Sequence, residues 1–326
     1  MADRAVRPDA FAFVMATGIV SIAAADHGFA GITSALAVIA AAGMLVLVVV
    51  AAFSWRRDPL NLADHDVTIR LFTFVAACAV LDSRLMSAAA ALWTLAVLAA
   101  LAWVALAALT VRNVAARSWV DLRERAHGAW ELASVGTSGL AIVVIALAQH
   151  TGWRVLLWHA VAIWVLALVV YVFMTALILA RAFAARLDPN GFQPDAWILM
   201  GGLAIATLTG DHLHRAGIAG VRGVTVVTWV VASLWIVPLL YFGVRHFARS
   251  EARHFAGVWW AMVFPLGMYS AACNAMAAET GWPLLSAISL VFFWIAFAAW
   301  VLVVIAGLLR LWALGKVHLP SRHGIR

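Results

Sequence analysis

Charge is what this chain has least of. Only 11% of its 326 residues are Asp, Glu, Lys or Arg, against about 25% in soluble domains. A soluble fold with 66% hydrophobic residues would expose large apolar patches to water, so the composition excludes that class and indicates a polytopic membrane protein. The two cysteines, Cys78 and Cys273, both fall inside apolar runs. With no CxxC pattern they exclude a disulfide framework and read as small core residues. No Walker loop, GxSxG, HExxH or GxGxxG occurs in a credible context, so ATP-driven transport and these enzyme classes are excluded. The chain reads as a non-enzyme, and no cofactor is expected. A formal net charge of +7 does not point to nucleic acid here, because basic residues of membrane proteins mark cytoplasmic loops.

What the chain has instead is long apolar runs. Spans are expected at about 10–26, 35–54, 69–86, 88–110, 129–149, 155–180, 195–213, 223–244, 257–277 and 283–309. The odd-numbered spans begin near Phe11, Leu71, Ala129, Ala196 and Trp259, a period near sixty that implies repeated helical hairpins. The first span has a basic start and an "AAA" that could mimic a cleavable signal; its place in the repeat makes it structural. The expected fold is an all-α membrane protein of ten transmembrane helices in a single domain, 1–326.

The members of each pair differ in chemistry. The even spans carry no Asp, Glu, Lys or Arg, and four of them hold two tryptophans each: Trp93 and Trp103, Trp158 and Trp164, Trp229 and Trp235, Trp294 and Trp300. Gly, Ser and Thr gather in the fifth span (Ser134, Gly136, Thr137, Ser138, Gly139) and the seventh (Gly201, Gly202, Thr207, Thr209, Gly210). Bulky aromatics suit lipid, and small hydroxyl-bearing residues suit close contact or a wet cavity. The even helices are therefore expected outside and the odd helices inside, around a central passage. Of the 22 basic residues, all but Arg84, Arg154, Arg215 and Arg222 fall on the side of the two tails and the loops near 55–68, 111–128, 181–195 and 245–256. That side includes Arg56, Arg57, Arg112, Arg117, Arg181, Arg186, Arg245 and Arg249. The asymmetry puts both termini in the cytoplasm.

The segments "FAFVMATGIVSIA" (11–23), "WELASVGTSGLAIV" (130–143), "WILMGGLAIATLTG" (197–210) and "WWAMVFPLGMYSAA" (259–272) resemble the tellurite-resistance/C4-dicarboxylate transporter family, which includes plant slow anion channels and fungal malate and sulfite transporters. The resemblance implies five helical hairpins about a quasi-five-fold axis, one pore per protomer, a homotrimer and a bacterial inner-membrane location. It implies passage of small anions: a C4-dicarboxylate such as malate, or chloride, nitrate or sulfite. It also aligns "FPLG" with the phenylalanine that closes the pore in the family, here Phe264. Many relatives carry Thr-Gln on the fifth helix where this chain reads Thr137-Ser138, so the choice of anion is left open.

Phe264 precedes Pro265, whose ring removes a helix hydrogen bond and kinks the chain. Either this is a gate, since a ring can plug and dewet a narrow passage, or it is a core Phe beside a kink. Phe13 and Phe74 lie at similar depths in their repeats. Thr17, Ser134, Thr137, Thr207 and Ser270 are candidate pore hydroxyls, able to solvate an anion without a fixed charge; alternatively they bond to their own helix carbonyls. Glu131 is a carboxylate at depth that pairs with an arginine, couples anion movement to protons, or sits at headgroup level as an N-terminal helix charge. An alternative function is thus a proton-coupled C4-dicarboxylate carrier using Glu131. Asp82 and Arg84, two residues apart, do not meet on an ideal helix. A remote alternative is an intramembrane metal-binding protein or enzyme built on Asp211, His212 and His214. Those three lack the spacing of a helical His pair and a further strong ligand, so no metal is expected.

Overall fold

The computed structural model describes residues 7–84, 89–185, 193–247 and 259–317. The tails at 1–6 and 318–326, and Arg186 and Arg249, lie outside the described residues. Among the described residues the chain is helical, without a strand.

The helices are α1 (Ala12–Asp26), α2 (Ala30–Arg57), α3 (His65–Arg70), α4 (Phe72–Arg84), α5 (Ala89–Ala115), α6 (Trp119–Arg125), α7 (Leu132–Thr151), α8 (Val155–Ala184), α9 (Ile198–Arg215), α10 (Arg222–Phe247), α11 (Trp260–Thr280) and α12 (Pro283–Val317). Single 3-10 turns, Gly128–Glu131 and Pro194–Trp197, lead into α7 and α9. Runs rich in Ala and Leu propagate these helices well. Glycines stop two of them: Gly152 (φ 74°) and Gly281 (φ 70°) take the left-handed conformation and donate back to Ala148 and Ala277. The short α3 and α6 are capped by Asp64 and Ser118. Among the described residues, seven helical segments are long and apolar enough to cross a membrane.

Five helices form an inner ring: α1 touches α4, α4 touches α7, α7 touches α9, α9 touches α11, and α11 returns to α1. The other five long helices lie outside it. Each outer helix contacts the inner helix before it in sequence and also the next inner helix round the ring, with α12 reaching α1. Residues on α7 and α11 are mostly buried, whereas α2, α5, α8, α10 and α12 expose most of their surface.

Lipid supplies no hydrophobic force between helices, so close approach must do that work. A glycine stands at each ring contact. An added Cβ at Gly18 would meet Val80, at Gly136 Phe72 (2.8 Å), at Gly202 Ser134 (3.2 Å), at Gly201 Pro265 (2.9 Å) and at Gly267 Ile19 (3.1 Å). The tryptophans of the outer helices do more than face lipid. Trp93, Trp158 and Trp294 are exposed, but Trp300 donates to Thr17, Trp103 to Thr137, Trp164 to the Ala206 carbonyl and Trp229 to Cys273. Each of these four joins an outer helix to the next inner helix of the ring.

Candidate functional site

Two cavities lie on the ring, and residues of all five inner helices line each. The smaller, about 20 Å³, is lined by residues before or early in each helix, among them Met15, Thr73, Leu132, Ile198 and Ala261. The larger, about 350 Å³, is lined by late residues, among them Ile22, Ser83, Ile142, Leu208 and Ala271. The inner helices therefore run in one direction, and the ring has an N-terminal rim and a C-terminal rim. The small cavity has room for about one water.

Between the two sets of cavity-lining positions, four of the inner helices carry fully buried residues: Ile19, Val135, Ile205 and Phe264. They fall three, four or seven residues from cavity-lining positions of their own helices, hence on the same helical face. The direction of Phe264 follows from its neighbours. Tyr269 bonds Ser233 of α10 (2.7 Å), Ser270 donates to the Ser289 carbonyl of α12 (2.7 Å), and Cys273 accepts from Trp229 of α10. Those three mark the outward face of α11. At about 100° per residue, Phe264 projects from the opposite face, with Ala271 and Ala275 of the larger cavity. The adjoining Pro265 rests against Gly201 of α9.

The other expected pore residues point elsewhere. Phe13 packs edge-on against Trp260 and over Gly43 of α2, and Phe74 against Phe11. Thr17 accepts from Trp300, Thr137 from Trp103, Thr207 bonds Thr228 of α10, Ser270 bonds α12, and Ser134 donates to Glu131. None of these five hydroxyls lines either cavity. The reason is physical: buried hydroxyls are mostly paired, and for four of the five the outer helices supply the partner. Thr137 and Thr207 also donate to carbonyls of their own helices.

Among the described residues Glu131 pairs with no arginine. It is fully buried, accepts from Thr175 of α8 (2.6 Å) and Ser134 (3.0 Å), and lies outside both cavities. Nor is it inside α7, since it closes the preceding 3-10 turn. Asp211, His212 and His214 do not converge: Asp211 pairs with Arg215 (2.9 Å), His214 with Glu279 (3.5 Å), and His212 lines the larger cavity. Among the described residues no cluster of His, Cys, Asp and Glu suits a metal. Asp82 is buried with both oxygens unpartnered among the described residues, while Arg84 lines the larger cavity.

Two features lay beyond the sequence reading. The C-terminal cavity holds Asp26, Arg84, Gln149, Asp211, His212, Arg215 and Asn274. At the N-terminal rim, His127 bonds Asp195 (2.6 Å) and lies 3.3 Å from Asp66, which also accepts from Trp130 (2.6 Å). Burial by itself would lower the His127 pKa, but hydrogen bonds to the two carboxylates and their charge lift it to about 9. Burial would likewise raise Asp66, yet its bonds from His127 and Trp130 bring it down to about 2. Neighbouring His65, buried edge-on against Trp130, is held down to about 4 by desolvation.

The profile of the voltage-dependent anion channel family matches residues 5–308. Two uncharacterized membrane proteins, from two strains of Mycobacterium tuberculosis, are each 28% identical over 145 residues, covering 42% of this chain and 74% of the relative. The family match spans all five inner helices, both cavities and the buried layer between them, and the chain belongs to the voltage-dependent anion channel family.

Proposed function

We propose that small anions cross the membrane along the axis of the inner ring, and that Phe264, set by the Pro265 kink, closes the way. One observation carries this reading: two cavities, each walled by all five inner helices, are separated by a buried layer that includes Phe264. Apolar constrictions gate by excluding water, and the conductive path needs only that the ring move or shrink. In this reading the five inner and five outer helices cross the bilayer as five hairpins, with the N-terminal rim and both termini cytoplasmic, in a bacterial inner membrane. The homotrimer and the anions (malate-like C4-dicarboxylates, chloride, nitrate or sulfite) come from the family resemblance. The carrier reading would need Glu131 to exchange protons with the passage, and its place between α7 and α8 does not favour that.

The test is anion flux into liposomes, comparing wild type with Phe264→Ala. Wild type is expected to be near silent and the variant to conduct at least ~100-fold faster, as if a barrier of about 3 kcal/mol were removed. Truncating a buried Phe costs about 3–5 kcal/mol of stability, so folding is checked by the melting profile. A folded, silent Phe264→Ala protein sinks the gate.

A further inference from the structure

The C-terminal cavity holds more polar chemistry than a closed passage needs, and its polar groups do not satisfy one another. Arg215 is engaged by Asp211. Arg84, on the last turn of α4, has its Nε buried without a hydrogen-bond partner among the described residues. Gln149 of α7, Asn274 of α11 and His212 of α9 line the same space, and their side chains make no hydrogen bond among the described residues. Asp26, at the end of α1, lines the same space as both guanidiniums, yet no ion pair closes on it among the described residues. The cavity thus presents unspent donors from four inner helices beside two carboxylates, Asp26 and the Arg215-paired Asp211.

We propose that this cavity is a binding site for a small planar oxyanion, carboxylate or nitrate, held by Arg84 with the amides of Gln149 and Asn274. Asp26 is the internal competitor that keeps the binding weak. The proposal rests on the passage described above, as the station an anion occupies before Phe264. A guanidinium presents N–H groups in a fork that matches a planar oxyanion and suits a chloride ion less well. About 350 Å³ accommodates such an anion with several waters, each taking about 30 Å³. The C-terminal ends of five parallel helices carry partial negative charge, so an anion would be turned away from this rim without the arginines. Weak binding is what conduction needs, because an ion held tightly blocks the path it should clear.

Binding is measured apart from conduction, as the rise in melting temperature of the purified full chain with nitrate at constant ionic strength. A bulky organic sulfonate too large for the cavity supplies the balance. Wild type should be stabilised with a half-saturating nitrate concentration that rises about five-fold in Arg84→Gln, the upper end for partly exposed charge contacts. It should return towards wild type in Arg84→Lys and fall severalfold in Asp26→Asn. A purely structural arginine would not move in opposite directions with its two neighbouring charges. Equal half-saturation in all four proteins, or a rise in Asp26→Asn, overturns the proposal. The same substitutions in a Phe264→Ala background should shift the concentration dependence of nitrate flux in parallel. Silence of that background defeats the gate and leaves the binding result standing.

Discussion

His127 is the residue whose loss has the most calculable consequence. Its imidazole is the one charged link among three segments of this rim in the described residues: Asp66 of α3, the turn before α7, and Asp195 of the turn before α9. Asp195 is buried and also accepts from the Ala129 N–H at 3.1 Å. Folding raises the His127 pKa from 6.5 to about 9, a gap equivalent to about 3 kcal/mol. Because the folded value is the higher, this stabilisation is complete below pH 6.5 and is lost as pH rises through about 9. Asp66 behaves oppositely: with a folded value of about 2 against 3.8, its share is present above 3.8 and lost as pH falls towards 2. The two shifts arise from the same contact, so they are not added.

The perturbation is His127→Gln, which keeps a donor and removes the charge. Unfolding of the detergent-solubilised protein is followed from pH 6 to pH 10. Wild type should lose about 3 kcal/mol between pH 6.5 and 9.5. The variant should be weaker at pH 6.5 by about 3–5 kcal/mol, because Asp195 stays buried beside a neutral partner. Its stability should then be nearly flat over the same range. Other groups that titrate there contribute equally to both proteins and cancel in the difference. Equal slopes for the two would refute the assignment of the charge to His127.

Two further substitutions separate structure from transport. Gly128→Ala places a Cβ against the backbone carbonyl of Asp195, which cannot swing aside, so the folded yield should collapse, with a cost above about 3 kcal/mol; a normal melt would contradict the close approach. Glu131→Gln should cost about 1–3 kcal/mol, since one of its two hydroxyl donors loses its acceptor. In the Phe264→Ala background it should leave anion flux within about two-fold of its parent, by the same reasoning that places it off the path. Loss of flux, or flux that follows a pH gradient only with Glu131 present, would favour the proton-coupled carrier.

Much of the fold was legible because each layer has its own composition. Charge-free, tryptophan-bearing spans became the exposed outer helices, and spans with Gly, Ser and Thr became the ring. The direction of the hydroxyls was not legible. Ser134, Thr137 and Ser138, three and four residues apart, share one face of α7, but sequence spacing could not say whether that face looked inward. Trp103, thirty-four residues away, settles it for Thr137. A clue was present in the even spans: two tryptophans in each of four helices is more than lipid contact requires, and an indole N–H in a membrane needs an acceptor. The His127 contacts were hidden for a different reason. Asp66, His127 and Asp195 are each unremarkable in a loop, and only the closing of the ring brings them together. The small helices α3 and α6 are too short to show a period and look like loop in the sequence.

The placement of charge has one cause for both rims. Five parallel inner helices present about half a positive charge each at the N-terminal rim and half a negative charge each at the other. The chain sets Asp195 and Glu131 in the turns that open α9 and α7, and Arg84 and Arg215 in the last turns of α4 and α9. The outer helices α2, α5 and α8 run the opposite way, and Arg56, Arg57, Arg112 and Arg181 stand in their last turns. Each rim therefore mixes both signs against its helix ends, which flattens the potential along the axis. A passage with a flat potential neither traps an anion nor repels it, so an apolar ring can suffice to hold it shut. It follows that Arg84 should govern how much anion is needed at the mouth, and Phe264 whether any passes. The two should combine additively in free energy, because they act at separate layers of the ring.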